Sequence, residues 1–324
     1  MKILVLGAGA VGGYFGGRLA QAGADVAFLV RPKRAANLSA NGLRIRSRFG
    51  DCALPVRCVT QEEVQAEHDL AILTAKAYDL ESAMAAIAPG LRPGGVVLPL
   101  LNGMAHLAQL DARFGRERVL GGVAYIAATL AADGAIVHLN DFHRLVFGPR
   151  LPAQRAACDA FAAALGGVNF DWQRRDDVEQ AMWDKWVLLA SLAGMTCLMR
   201  ASVGDIVATP EGAQLTLALL DECAAVARAA GFPTPGDTLQ GYRTMLAQKD
   251  SAFTASMLRD IEAGGPIEGE HILGALLAEA RGRSVAAPML EVAATHVAAY
   301  AARQRREAAA TVSRETPAPS AAGR

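Results

Sequence analysis

The chain opens with a short apolar run, Lys2 to Leu6, in which Ile and Val favour a strand. Glycines follow at once, and a helical spacing of apolar residues resumes through Leu19 and Ala20. A second strand-like run, Asp25 to Val30, completes a strand–helix–strand unit, and apolar runs at 69–75, 95–100, 119–126 and 144–148 predict further strands. The first half therefore reads as an α/β domain over residues 1–170. Past about residue 175 the period changes, and long Ala- and Leu-rich segments at 177–203, 211–231, 253–263 and 270–281 carry helical spacing without a clear strand. A helical domain is expected over 176–305, with the boundary between 165 and 178. The last stretch, RREAAATVSRETPAPSAAGR, lacks apolar periodicity and closes in Pro, Ser, Ala and Gly, so disorder is expected over 306–324. No repeat of 20 to 50 residues is evident, which argues against a solenoid or propeller.

Length and charge narrow the class. A chain of 324 residues exceeds one typical core and fits two domains. The 32 basic and 32 acidic side chains balance, so nothing suggests a nucleic-acid footprint or a membrane anchor, and the expected partners are small molecules. The opening MKILVLGAGAVGGYF superficially mimics a signal peptide but runs straight into a glycine loop that a mature fold needs. The longest uncharged stretch, Trp186 to Met199, spans 14 residues and includes Ser191, Gly194 and Thr196; a bilayer span needs about 20, so this reads as a buried core helix. Five cysteines, an odd number without a C-x-x-C pair, argue against a disulfide framework or zinc site and read as reduced, mostly buried thiols. No metal site is expected: His138 and His143, five apart beside a strand, should point to opposite faces, and His68, His106, His271 and His296 have no His or Cys at ligand spacing.

Gly7-Ala8-Gly9-Ala10-Val11-Gly12 has G-x-G-x-x-G spacing between a predicted strand and a predicted helix, the context of a Rossmann dinucleotide site. Gly7 permits the turn, Gly9 lets backbone approach a pyrophosphate, and Gly12 lets the helix pack on the strand, with the helix N-terminus facing the phosphates. At the end of the second strand, where an acidic residue would bind the ribose of NAD, stands Arg31, followed by Lys33 and Arg34. These cations favour a 2′-phosphate and hence NADPH; the alternative is an ordinary solvated charge. Two more strand ends, Lys76 after AILTA and Asn102-Gly103 after VVLPLL, point at the same crevice as cofactor or substrate ligands, or are plain loop residues.

In DDVEQAMWDKWVLLASLAGMTCLMR, Lys185 is the last charge before the long uncharged run. Reducing a ketone by hydride creates an alkoxide, and a placed ammonium stabilises that charge and delivers the proton. The alternative is that Lys185 snorkels to the surface or pairs with Asp184 or Glu179. Downstream, Ser256 to Glu262 reads as a helix ended by Gly264-Gly265-Pro266, and Glu268 starts the next one. Ser256 is a candidate for a substrate carboxylate and Glu268 for holding Lys185 or a substrate hydroxyl. Equally, Ser256 bonds its own backbone and Glu268 complements a helix dipole.

Together, ILVLGAGAVGG, Arg31, TAKAYD around Lys76, LLNG around Asn102, MWDKW around Lys185 and SMLRDIEAGGPIEGEHILG around Ser256 and Glu268 resemble the 2-dehydropantoate 2-reductase (ketopantoate reductase) family over roughly residues 1–305. The resemblance implies a Rossmann domain followed by an all-α domain of the 6-phosphogluconate dehydrogenase C-terminal type. It also implies a cytoplasmic NADPH-dependent enzyme of pantothenate biosynthesis. It makes Lys185 the general acid, has Glu268 orient the lysine, substrate and cofactor, and sets Ser256 on the substrate and Lys76 and Asn102 around cofactor and reacting centre. Two departures bear on the substrate. Leu189 and Ala193 stand where family members carry asparagines one and two turns past the lysine, and Phe253-Thr254-Ala255 and Gly265-Pro266-Ile267 replace more polar stretches. The expected substrate is thus ketopantoate, followed by a bulkier or more apolar 2-oxo acid. An opine-type dehydrogenase that reduces an imine and a non-catalytic NADPH sensor are the competing readings. The Ala-rich helices suit a homodimer interface as well as packing within one monomer.

Overall fold

The computed structural model describes residues 1–315. Five parallel strands form the central sheet, and its inner strands are rich in branched side chains and largely buried on both faces, as parallel strands flanked by helices are. In chain order the elements begin with β1 (Lys2–Leu6), α1 (Ala10–Gln21), β2 (Asp25–Leu29), α2 (Pro32–Asn41), β3 (Leu43–Arg46), β4 (Cys52–Leu54), β5 (Arg57–Val59) and β6 (His68–Leu73). There follow α3 (Leu80–Ile87), β7 (Leu91–Pro99), α4 (His106–Phe114), β8 (Gly121–Tyr125), β9 (Ala128–Leu130), β10 (Ile136–His138), β11 (Arg144–Gly148), α5 (Arg155–Ala164) and β12 (Asp171–Arg174). The central sheet runs β5-β2-β1-β6-β7, a doubly wound order whose direction reverses between β1 and β6. Alternate residues feed two cores: Ile3, Val5, Phe28, Ile72 and Leu98 join one with Phe147 and Phe161, while Leu4, Ala27, Leu29, Ala71 and Val97 join another with Leu110 and Met182.

A second sheet, β4-β3-β10-β9, covers the outer side of α1. That helix is thinned on both flanks. A Cβ on Gly12 or Gly16 would strike Val5, Thr74 or Phe28 of the central sheet, and one on Gly13 or Gly17 would strike Ile136 or Leu43 of the second. A third sheet, β12-β11-β8, extends the first through a bridge from Val97 to Val119.

Among the described residues only helices follow β12: α6 (Val178–Met199), α7 (Val203–Val207), α8 (Gly212–Ala229), α9 (Gly236–Leu246), α10 (Ser256–Glu262), a π-helical turn Glu270–Gly274 leading into α11 (Ala275–Gly282), and α12 (Pro288–Glu315). By density of internal contacts the chain forms two units, Met1–Trp186 and Val187–Arg324. The division falls inside α6, later than the expected 165–178, because β12 pairs with β11 and the opening turns of α6 pack on the α/β core through Ala181 and Met182. In the second unit α8 packs against α12, and the Glu222 carboxylate on α8 accepts the first free amides of α12, from Met289 at 3.1 Å and Leu290 at 2.9 Å.

Two expectations change. Disorder was expected from residue 306, yet α12 continues to Glu315; alanines, arginines and the Arg303–Glu307 pair, at 3.6 Å, sustain a helix without apolar periodicity. The rest of that expected tail, 316–324, lies outside the described residues. His138 and His143 do not point apart. The four residues between them turn the chain, and the rings stack with centroids 5.6 Å apart beside Phe49. His138 Nδ1 bonds Ser47 Oγ at 3.0 Å, and His143 Nδ1 bonds the Tyr14 hydroxyl at 2.6 Å. Among the described residues no three His, Cys, Asp or Glu side chains gather to hold a metal ion, and no helix is long and apolar enough to cross a membrane.

Candidate active site

Gly7 leaves β1 at φ +83, a conformation that L side chains resist, and Gly9 caps α1 in extended form without a side chain to satisfy the first amides. A Cβ on Gly7 or Gly9 would meet nothing within 4 Å, whereas one on Gly12 would lie 2.6 Å from the Gly7 carbonyl and 2.5 Å from Thr74 Oγ1. The loop spanning Gly7, Ala8, Gly9, Ala10, Val11 and Gly12 is therefore open outward and closed inward, which fits a pyrophosphate seated on the free helix amides. Thr74 Oγ1 donates to the Leu6 carbonyl at 2.9 Å, tying together the ends of β1 and β6 where the sheet order reverses.

Arg31 follows β2 as the exposed N-cap of α2, and Lys33 is exposed beside it. Arg34 behaves differently: its guanidinium turns back to donate to the Ala8 carbonyl of the glycine loop at 2.9 Å and to Gly134 at 3.2 Å. Its Nε is buried without a hydrogen-bond partner, and burial holds its pKa below the ordinary value. The sequence grouped Arg34 with Arg31 and Lys33 as a cation for the 2′-phosphate; its turn back onto the glycine loop is visible only in three dimensions. Lys76, partly buried, caps the short turn after β6.

Asn102 follows β7 in a loop opened by Gly103 at φ +71. Its Oδ1 accepts from Lys185 Nζ at 3.0 Å, and the Ala124 carbonyl on β8 accepts from the same ammonium at 2.7 Å. The Tyr125 ring lies on another side, its centroid 5.8 Å from Nζ. Burial pushes the Tyr125 phenol up, with Arg144 opposing it. Tyr125 escaped sequence reading although it ends a predicted strand, where ligands of open sheets sit. Lys185 lines a small cleft with Leu101, Gly103, Gly122, Val123, Met182 and Trp186. Glu179, one of the two carboxylates considered as its partner, is engaged instead by Arg150 and Arg116.

The glycine loop, Arg31, Lys76, Asn102 and Lys185 belong to the first unit and Ser256 and Glu268 to the second. Ser256 begins α10 and is partly buried. Glu268 is 5 % exposed, and its carbonyl accepts the amide of Ile272 as the π-helical turn begins. Two features fix its loop: Tyr300 donates to the Gly265 carbonyl at 2.9 Å, and a Cβ on Gly269 would strike Val297.

Comparison with known families matches residues 3–151 to the ketopantoate reductase PanE/ApbA model and residues 177–301 to its C-terminal counterpart. The chain belongs to the ketopantoate reductase family. Members of similar sequence include an uncharacterised oxidoreductase of Bacillus subtilis, 37% identical over 305 residues, covering 94% of this chain and all of that one. Another is a 2-dehydropantoate 2-reductase of Archaeoglobus fulgidus, 30% identical over 276 residues, with 85% and 90% of the two chains covered. The crystal structure of 2-dehydropantoate 2-reductase from Geobacter metallireducens superposes with a TM-score of 0.83 at 29% identity, over 91% of this chain and 98% of that one. The ketopantoate reductase fold, a parallel α/β domain followed by a helical one, is thus the fold described above. As a member the chain is an oxidoreductase acting on CH–OH groups, with NADP(H) as its cofactor.

Proposed function

We propose that the chain reduces the ketone of a small 2-oxo acid to the 2-hydroxy acid, with ketopantoate the first candidate. The observation that carries this reading is the seating of the Lys185 ammonium between Asn102 Oδ1 and the Ala124 carbonyl at the wall of a cleft. When bound, NADPH supplies the hydride. Lys185 then faces the oxygen on which charge develops and gives it a proton, leaving the hydroxyl of the product. Asn102 holds the ammonium in one direction before the reaction, so little reorganisation is needed as charge appears.

In this reading the first-turn amides of α1 hold the pyrophosphate and Arg31 the 2′-phosphate, while Lys76 and Asn102 take cofactor ribose or phosphate oxygens. Ser256 is assigned to the substrate carboxylate and Glu268 to the substrate hydroxyl. Their support is the family pattern, together with the pinned loop that presents Glu268. Leu189 and Ala193, which offer no amide, favour a substrate with an apolar 2-substituent and leave ketopantoate to be tested against bulkier 2-oxo acids.

The test follows loss of NADPH absorbance with purified enzyme over a panel of 2-oxo acids headed by ketopantoate, alongside Lys185→Ala. Turnover lost with Lys185 supports the mechanism, and near-full turnover in that variant overturns it. The substrate with the highest kcat/KM sets the specificity.

A further inference from the structure

Asn102 and Ala124 accept from the Lys185 ammonium, and the three residues are borne by different elements. Asn102 lies in the loop before α4, Ala124 on β8, and Lys185 on α6. Two of these elements, α4 and α6, meet at one side chain outside the cleft, and the approach to β8 is tied to the backbone beside it. Arg150, two residues past β11 and with its side chain 5% exposed, forks onto Asp111 of α4 through both terminal nitrogens, at 2.6 and 2.8 Å. Its Nε donates to Glu179 in the first turn of α6 at 3.2 Å. The backbone amide of Arg150 donates to Gln154 Oε1 at 2.6 Å. The amide nitrogen of Gln154 in turn holds the carbonyls of Arg116 at 2.8 Å and Val119 at 2.9 Å, on the segment that leads from α4 into β8.

We infer that Arg150 is a positioning residue for the reaction: it locks α4 to α6, beside the β8–β11 ladder, in the register that sets Lys185 against Asn102 and Ala124. Several features favour this over a role in stability alone. A planar guanidinium fork fixes angle as well as distance between two carboxylates, which a point charge does not. The fork joins Asp111, nine residues after Asn102, to Glu179, six residues before Lys185, so that α4 and α6 cannot slide past each other without breaking it. The third element is held by the ladder itself, since Leu145 of β11 pairs with Ala124 of β8. Close approach adds to the constraint. A Cβ on Gly148 would lie 1.8 Å from the Arg175 carbonyl and one on Gly121 2.4 Å from Val178, so the lead-in to α6 rests directly on the backbone of β8 and β11.

The inference rests on Lys185 being the proton donor, and the experiment separates the two. Arg150→Met, Arg150→Lys and Asp111→Asn are compared with wild type and Lys185→Ala for kcat and KM, the pH profile of kcat, NADPH affinity by fluorescence titration, and Tm. A shift of about 1 Å in a catalytic group lowers kcat by on the order of a hundredfold, which is the loss expected for Arg150→Met, with Arg150→Lys falling between it and wild type. NADPH affinity should fall far less than kcat, because the glycine loop and Arg31 are untouched and only the Asn102 contact is disturbed. The pH profile of kcat should change as well, because an ammonium out of register with Asn102 Oδ1 and the Ala124 carbonyl loses bonds to its charged form. Should Arg150→Met not fold, Asp111→Asn, which keeps shape and removes one charge, carries the same expectations. Unchanged kcat and pH profile with a lowered Tm in the folded variants would reduce Arg150 to a structural tie and overturn the inference. Turnover surviving in Lys185→Ala would instead overturn the reading on which it rests.

Discussion

The Tyr14 hydroxyl and His143 Nδ1 share a hydrogen bond inside the α/β unit, and that one imidazole gives the fold a pH dependence. Burial holds the His143 pKa below its ordinary value, with His138 and Arg18 adding to the effect and Asp171 opposing it. The folded ring is thus harder to charge than the unfolded one, whose pKa is about 6.5. Its contribution to stability is complete above that value and is lost as pH falls through the folded pKa. Thermal melts between neutral and mildly acidic pH should show a steeper fall of Tm in wild type than in His143→Gln; equal slopes would assign the acid sensitivity elsewhere. The thiols follow the same desolvation. Burial pushes Cys158 up to about 11 and Cys197 and Cys223 up to about 12, while Cys52 and Cys58 are only half-buried. A thiol-directed reagent should label no more than Cys52 and Cys58 in the native protein and all five after unfolding, as counted by mass. Legibility in the sequence divides at this scale too. Lys185 stood out because its charge borders an uncharged run, and Asn102 because it ends a strand. The stacking of His138 on His143 depended on a turn that residue counting along a strand does not see.

For single elements, α1 is the most constrained. Gly12→Ala sets a methyl 2.6 Å from the Gly7 carbonyl, which is backbone and cannot swing aside, so the loop itself must move. Overpacking of this kind costs about 1–3 kcal/mol, and NADPH affinity should fall together with Tm. A Gly12→Ala protein that melts and binds like wild type would remove the close-packing argument. In the helical unit, Glu222→Ala strips the acceptor from the first amides of α12, and a loss of about 1 kcal/mol is expected by denaturant titration. Element types followed from period wherever runs were long: β1, β2, β6 and β11 and the helices α6, α8, α10 and α11 lie where the apolar spacing put them, whereas α7, α9 and α12 were not read from it. The three- and four-residue strands β3, β4, β5, β9, β10 and β12 did not announce themselves. Arg44, Arg46 and Arg57 break their apolar pattern, and partners far along the chain, not local preference, hold them in place.

Over the whole molecule, the cofactor choice is the property most exposed to a single charge. Arg31 is solvent-facing at the end of β2, and a charge-assisted bond to a phosphate contributes about 1.5–3 kcal/mol. Arg31→Glu should raise the Kd for NADPH by about 10- to 100-fold and leave NADH nearly unaffected, measured by fluorescence titration of both; parallel losses would dissociate Arg31 from the 2′-phosphate. The division of the chain into an α/β and a helical part was legible from the change of period at about residue 175. The edge between the two densely packed units was not, because it lies within one uninterrupted helix, where no glycine, proline or polar linker marks it. That edge matters to anyone recombining members of the family. A chimera joined at the apparent linker near residue 176 takes Lys185 from the donor of the helical half, separating it from the Asn102 and Ala124 with which it evolved. One joined after Trp186 inherits all three from a single parent. The later junction has a requirement of its own: each inserted or deleted residue there rotates the remainder of the helix by about 100°, so only length-neutral crossovers keep its phase.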